Sequence, residues 1–141
     1  MLDRAALLGT WRMISWTRTV VATGEVSDAM GTDPIGYIAY HADGRMMAFV
    51  TNRRRPRPNG KAPNDNEKAA LFDTMLAYTA AYTLEGDKVI HHVEAAWNPT
   101  WERPLIRPLH MEGDILVISD APGTDPVTGE DVIYRLEFRK L

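Results

Sequence analysis

Hydrophobic and polar residues alternate through most of this chain with a period of two, which is typical of β-strands whose two faces differ in environment. Residues 10–21 (TWRMISWTRTVV) predict a long first strand, and residues 35–53 predict two strands around an Asp-Gly turn. Turns at 85–87 and 112–114 predict two further hairpins, and residues 132–140 predict the last strand. The pattern therefore indicates about eight short antiparallel strands.

One helix of about three turns is expected between strands three and four. Asn64 and Glu67 have the spacing of a helix-capping pair, and apolar residues follow at helical spacing at Ala69, Phe72, Met75 and Leu76. The preceding residues 53–63 (RRRPRPNGKAP) are basic and proline-rich, which predicts an exposed linker, and residues 22–34 predict a loop over one barrel end. Without a βαβ rhythm, we expect an all-β, closed up-and-down barrel forming a single domain over residues 1–141.

Composition limits the classes of function. The chain has 141 residues, of which 45% are hydrophobic and 25% charged, as expected for one globular domain. A net charge of −3 gives no general attraction to nucleic acid or to an anionic membrane. There is no cysteine, no secretory signal is evident, and no apolar stretch approaches the roughly 20 residues of a membrane span. We therefore expect a cytoplasmic protein that has neither a membrane nor a nucleic acid as its partner.

Several short motifs occur in an order that resembles a known family. Gly9-Thr10-Trp11 and the late Arg139 resemble the G-x-W motif and closing arginine of the calycin superfamily. The chain is more specifically similar to the bacterial lipocalin-like domain family in LGTWRMISW, PIGYIAYHADGRM, the pair Tyr78 and Tyr82, VIHHVEAAWNPTW and IRPLHMEGDIL. The resemblance implies a small barrel around an apolar cavity. Ala80 stands where a glycine is expected between the tyrosines.

Two strands carry polar side chains on their more apolar faces. Alternation puts His91 on one face with Val89, Val93, Ala95 and Trp97, and Arg107 on one face with Leu105, Leu109 and Met111. These faces are expected to point inward. A buried guanidinium keeps its charge, so Arg107 needs an internal carboxylate, ordered water or a ligand.

A second group of residues is expected to surround the cavity or, alternatively, to fill the core. These residues are Tyr37, Tyr40, Met47, Phe49, Tyr78, Tyr82 and Trp97. Trp11 and Arg139 are expected to be structural, with the indole closing the barrel base and the guanidinium stacked over it.

The leading hypothesis is cofactor-free binding of a small, mostly apolar molecule that bears an anionic or enolisable group. Arg107 would anchor that group and His91 would donate a hydrogen bond to it. In a second hypothesis the protein is a cofactor-independent isomerase, cyclase or lyase, with His91 as acid or base and Tyr78 or Tyr82 as a second acid. A third is a protein-interaction module with a filled barrel and no cavity. The structural alternative for the pair is that His91 bonds to backbone and Arg107 pairs with Glu94, Glu102 or another carboxylate.

Other chemistry has little support in the sequence. His92, Glu94 and His110 are the residues considered for a metal site, but alternation puts them on the outer face, and no metal is expected. No nucleophile motif, P-loop or dinucleotide fingerprint is present. A homodimer would need contacts through a barrel face or a loop, because a closed barrel has no free edge.

Overall fold

A sheet of nine antiparallel strands closes on itself in the computed structural model, which describes residues 2–141. The elements in chain order are α1 (Arg4–Leu7), β1 (Gly9–Val20), β2 (Val26–Asp28), β3 (Ile35–Tyr40), β4 (Arg45–Thr51), α2 (Asp65–Asp73), β5 (Met75–Glu85), β6 (Lys88–Ala96), a 3-10 turn (Pro99–Trp101), β7 (Pro104–Glu112), β8 (Ile115–Thr124) and β9 (Asp131–Lys140). No helix among these residues is long and apolar enough to cross a bilayer.

Eight strands form the barrel wall, and β1 closes it. β1 pairs along one edge with β9 and along the other with β3, while β3 to β9 follow one another as antiparallel neighbours. The predicted all-β, up-and-down barrel of about eight strands is therefore confirmed, and the helix lies between the third and fourth barrel strands as expected. β2 pairs with Thr17–Thr19 of β1 beyond the end of β3, so the predicted loop over residues 22–34 contains a short rim strand.

Three β-bulges interrupt the alternation of inward and outward side chains. An extra residue, Ile14, interrupts the pairing of β1 with β9, which lets both Met13 and Trp16 point into the barrel. Glu94 is the extra residue in β6, so Ala95 is exposed while Ala96 lies opposite the buried Tyr78. The expectation that Ala95 shares the buried face of His91 is therefore wrong. The third bulge lies between Ile118 and Ala121 of β8.

The first helix and Trp11 close one end of the barrel. The Trp11 Nε1–H donates to the carbonyl oxygen of Leu7 over 2.9 Å, which ties the helix to the first strand. Lys140 Nζ lies 5.4 Å from the centre of the Trp11 ring, because Lys140 is the cross-strand partner of Trp11. The predicted stacking of Arg139 on Trp11 is wrong, since the Arg139 side chain is 62% exposed and faces Asp114.

The second helix lies beside the opposite end, the mouth of the barrel. Asn64 and Glu67 form a reciprocal capping box, as the sequence indicates. The helix ends at Asp73, before the predicted three turns are complete, because Met75 and Leu76 already belong to β5. The Phe72 ring lies 5.9 Å from that of Trp97, so the helix contributes to the covering of the mouth. The basic residues 53–63 are mostly exposed, as expected for a linker.

Gly123 in β8 provides the space that Tyr134 of β9 occupies. A Cβ atom at this position would lie 2.4 Å from Cε2 of Tyr134, whose ring is buried and cannot move freely. We expect Gly123→Ala to lower the free energy of unfolding by about 1–3 kcal/mol through overpacking. Urea unfolding measures the change. Gly60→Ala is the control, because its Cβ would meet only Ala62 O at 3.7 Å; equal stability of the two variants would contradict the prediction.

Candidate functional site

A histidine bonded to two tyrosines lies inside the barrel. His91 on β6 places Nε2 2.7 Å from the phenolic oxygen of Tyr40 on β3, and Nδ1 2.7 Å from that of Tyr78 on β5. All three side chains are buried. The alternative in which His91 bonds to backbone is therefore wrong, because two phenols occupy its ring nitrogens.

The ionisation of this cluster means that His91 donates one of its two hydrogen bonds and accepts the other. Burial and the nearby Arg107 cation lower the pKa of His91 well below 6.5, so the ring is neutral near pH 7. Burial raises the pKa of Tyr40 and of Tyr78, so both phenols keep their protons. Among residues 2–141, Nε2 is the hydrogen-bond partner of the Tyr40 hydroxyl, so we assign Tyr40 as the donor. Nδ1–H then donates to Tyr78, which leaves the Tyr78 proton available to an acceptor in the cavity.

Arg107 on β7 is buried without an acidic partner. Arg107 is 4% exposed, and no carboxylate of the described residues lies within 4.0 Å of its guanidinium. Nη1 lies 3.5 Å from the carbonyl oxygen of Pro122, and Cζ lies 6.0 Å from the centre of the Trp101 ring. Glu94, one predicted partner, pairs instead with Arg45 on the outer surface, because it lies on the exposed face of β6 with His92.

These groups surround a small cavity of about 30 Å³ in the barrel centre, the inner chamber, lined by Tyr78, His91, Arg107, Trp101, Trp16 and apolar residues. A chamber of about 20 Å³ lies nearer the mouth. Trp16, Leu76 and Tyr134 line both chambers and separate them. A cavity needs about 10–15 Å³ to hold one water molecule, so the inner chamber has room for one or two water molecules.

Trp16 was not predicted as a site residue. It is buried, and its Nε1 has no hydrogen-bond partner among residues 2–141. An unpaired buried donor costs roughly 1–3 kcal/mol, so it calls for a structural or functional reason. Strict alternation from Met13 would have turned Trp16 outward; the bulge at Ile14 reverses this and leaves no clear signal in the sequence.

An ion pair joins two segments at the barrel mouth. Arg18 of β1 contacts Oδ2 of Asp125, which lies just after β8 and is buried. The other carboxylate oxygen, Oδ1, accepts hydrogen bonds from the backbone N–H groups of Val127 and Thr128. Asp125 therefore holds the β8–β9 loop against β1, and its oxygens are occupied.

Several predicted cavity residues lie elsewhere. Met47 and Phe49 are on the outer face of β4, with exposures of 52% and 50%, so the expectation that they line the cavity is wrong. Tyr37 is 38% exposed, but it also borders the inner chamber, as expected. Tyr82 is buried, but its hydroxyl donates to the carbonyl oxygen of His41 near the closed end. Trp97 lines only the mouth chamber, and its Nε1–H donates to Phe72.

The residues considered for a metal site make separate contacts. His92 bonds to Thr83, Glu94 to Arg45 and His110 to Glu112. The described part of the chain contains no group of three or more residues suited to holding a metal ion.

Comparison with known proteins identifies the family. The family model described as "Lipocalin-like domain" matches residues 8–131, which is most of the chain. The chain belongs to the lipocalin-like domain family. For a barrel of this family, binding of a small molecule is the general functional expectation. No curated protein matches the chain.

Among solved structures, this lipocalin-like domain is similar to a redesigned β-barrel. The identity is 11% and the TM-score 0.44, with 96% of this chain and 91% of the other covered. At this level of similarity the comparison adds nothing to the argument about function.

The lowered pKa of His91 gives stability a defined dependence on pH. Between the folded-state pKa and 6.5, the unfolded chain binds a proton that the folded domain does not, so the free energy of unfolding falls as the pH drops below about 6.5. Titration of His91 alone can change the free energy of unfolding by at most about 1.4 kcal/mol per pH unit. Urea unfolding at several pH values between 5.5 and 7.5 measures this dependence, and the free energy of unfolding should change less with pH in His91→Gln than in the wild type. His92→Gln, on the exposed face, should keep the wild-type slope; identical slopes in all three proteins would refute the assignment.

The Arg18–Asp125 pair is expected to stabilise the covered mouth. Asp125→Asn keeps an oxygen acceptor but removes the charge facing Arg18, so the free energy of unfolding should fall by about 1–3 kcal/mol. Glu94→Gln removes the charge facing Arg45 in an exposed pair and should lower the free energy of unfolding less than Asp125→Asn does. Urea midpoints compare the two variants, and an equal cost would argue against a special role for Asp125.

Proposed function

We propose that this domain binds a small, mostly apolar molecule through an anionic group held inside the barrel. Arg107 supplies the positive charge, and the Tyr78 hydroxyl supplies a hydrogen bond. The single observation that carries the proposal is a guanidinium buried without a carboxylate partner in the described chain. A buried cation of this kind is costly unless something negative is brought to it.

The polar groups around the inner chamber match an anion. Arg107 has no acceptor atom, and the Tyr78 oxygen already receives a hydrogen bond from His91 in the assigned tautomer. Both therefore offer donors to the cavity. Charge-assisted hydrogen bonds are strong where water is excluded, and the remaining wall is aromatic and aliphatic. A flat organic carboxylate, phenolate or enolate combines the charge and the apolar body that this lining favours.

The small volume of the chambers requires movement during binding. An inner chamber of about 30 Å³ is below the size of a typical ligand pocket, which is several hundred Å³. The shortest route to a larger cavity is displacement of Trp16, Leu76 and Tyr134, because these side chains separate the two chambers. A ligand therefore enters from the mouth and joins the chambers as it binds.

Binding is favoured over proton transfer by the state of His91. Both of its ring nitrogens are engaged by tyrosines, and its lowered pKa makes the ring a weak base. His91 then acts chiefly by orienting Tyr78. The predicted isomerase, cyclase or lyase activity remains the alternative for the same cavity.

The small interior volume also favours a second candidate, a protein-interaction module with a filled barrel. Tyr37, Met47 and Phe49 give β3 and β4 an apolar outer face, which a partner protein could cover. This candidate needs no opening of the barrel and no ligand on Arg107.

Titration with an anionic probe and its neutral analogue tests the proposed function. Calorimetry with 2-naphthoic acid and 2-naphthamide should show tighter binding of the acid. Arg107→Gln should weaken binding of the acid by about 10-fold or more, since a charge-assisted contact contributes at least 1.4 kcal/mol, and should change binding of the amide little.

Arg139→Gln is the matched control, because Arg139 is exposed and pairs with Asp114 at the surface. Unchanged affinity of Arg107→Gln for the acid would overturn the proposal. No binding of either compound by the wild-type domain would also overturn it and would favour the protein-interaction candidate.

A further inference from the structure

We infer that the ligand carries a second polar group, a hydrogen-bond acceptor at the end opposite its anion, and that Trp16 recognises it. The inference rests on the proposed function, since it extends the same cavity. Its independent observation is the buried Trp16 Nε1, which has no partner among residues 2–141. The ligand class is then an aromatic carboxylate with a distal carbonyl, ether or hydroxyl oxygen.

The positions of Trp16 and Arg107 separate the two recognition points. Arg107 lines only the inner chamber, whereas Trp16 lines both chambers. Successive contacts connect the two residues: the Trp16 ring lies 5.3 Å from that of Tyr134, the Tyr134 ring lies 6.3 Å from that of Trp101, and the Arg107 guanidinium lies 6.0 Å from the Trp101 ring. Because Arg107 does not line the mouth chamber, an acceptor bound there can reach the indole but not the cation.

The protein's own nearby acceptor at the mouth is already engaged. Both oxygens of Asp125 are taken, one by Arg18 and the other by two backbone N–H groups. Trp97, a second indole at this end, differs from Trp16 because its Nε1–H donates to the carbonyl oxygen of Phe72. The Trp16 Nε1–H is therefore a hydrogen-bond donor that only an acceptor from outside the described chain can pair.

A ligand that joins the chambers must pass Trp16. The indole N–H is already shielded from solvent, and a purely apolar ligand leaves that donor unpaired. An acceptor at this point forms the missing hydrogen bond. The pair of groups also fixes the direction of binding, with the anion innermost and the acceptor toward the mouth.

Two probes of nearly equal size test the inference. 6-Methoxy-2-naphthoic acid has a distal ether oxygen, and 6-ethyl-2-naphthoic acid has a methylene group in its place. The wild-type domain should bind the methoxy compound about 3- to 10-fold more tightly, the range for one neutral hydrogen bond. Trp16→Phe should abolish this preference, whereas Trp11→Phe should retain it; Trp11 is the matched control because it lies at the closed end and lines neither chamber.

A measurement on the wild-type domain keeps the inference testable if Trp16→Phe does not fold. In ¹H–¹⁵N NMR spectra, the Trp16 Nε1–H resonance should shift downfield with the methoxy compound and not with the ethyl compound. An unchanged resonance, equal affinities in the wild type, or a preference that survives in Trp16→Phe would overturn the inference.

Arg107→Gln distinguishes this failure from failure of the proposed function. If the inference is right, the variant weakens both probes by a similar factor and keeps the preference for the methoxy compound. If both probes weaken but the preference does not depend on Trp16, only the inference fails. If Arg107→Gln binds both probes as the wild type does, or the wild type binds neither, the anion-binding proposal fails and the inference fails with it.

Discussion

Three β-bulges decide which side chains of this barrel reach its interior. Without the extra residue Ile14, Met13 and Trp16 could not both point inward from β1, and the bulge at Glu94 places Ala96 instead of Ala95 opposite the buried Tyr78. Barrel closure requires such local twisting in any case. Here the bulge in β1 brings the indole N–H of Trp16 into an interior that, among residues 2–141, holds no carboxylate within 4.0 Å of the Arg107 guanidinium.

Two buried polar groups without partners among the described residues lower the stability of the interior. A guanidinium without a carboxylate and an indole N–H without an acceptor are both unfavourable when buried, and an apolar core of the same shape would avoid both costs. Local conflicts of this kind are expected at functional sites. By contrast, the buried charge at the mouth is fully satisfied, since Asp125 has Arg18 and two backbone donors. Asp125 therefore has a partner of opposite charge, whereas Arg107 has none among the described residues.

The sequence was sufficient for the barrel, the helix cap at Asn64 and the inward direction of His91 and Arg107, because alternation is regular where β6 and β7 begin. It was insufficient for Met47 and Phe49, which lie on the outer face. β3 and β4 carry apolar residues on both faces, so the pattern alone does not say which face is inside. Trp16 was missed for a different reason: one inserted residue in β1 reverses every position after it. Lys140 replaced Arg139 beside Trp11 because register, not composition, sets cross-strand neighbours.

The small volume of the two chambers is the reason to compare a ligand-binding barrel with a filled one. Tyr134 and Trp16 hold the chambers apart through a ring contact of 5.3 Å, and aromatic pairs of this kind contribute only about 0.5–1.5 kcal/mol beyond their buried area. Bringing an anion to an unpaired buried guanidinium offers a gain of at least similar size. The closed arrangement is then the state expected without a ligand, and the charge on Arg107 supplies a reason for the barrel to open. A barrel interior that served only for packing would be more stable with an apolar residue in place of the buried Arg107 guanidinium.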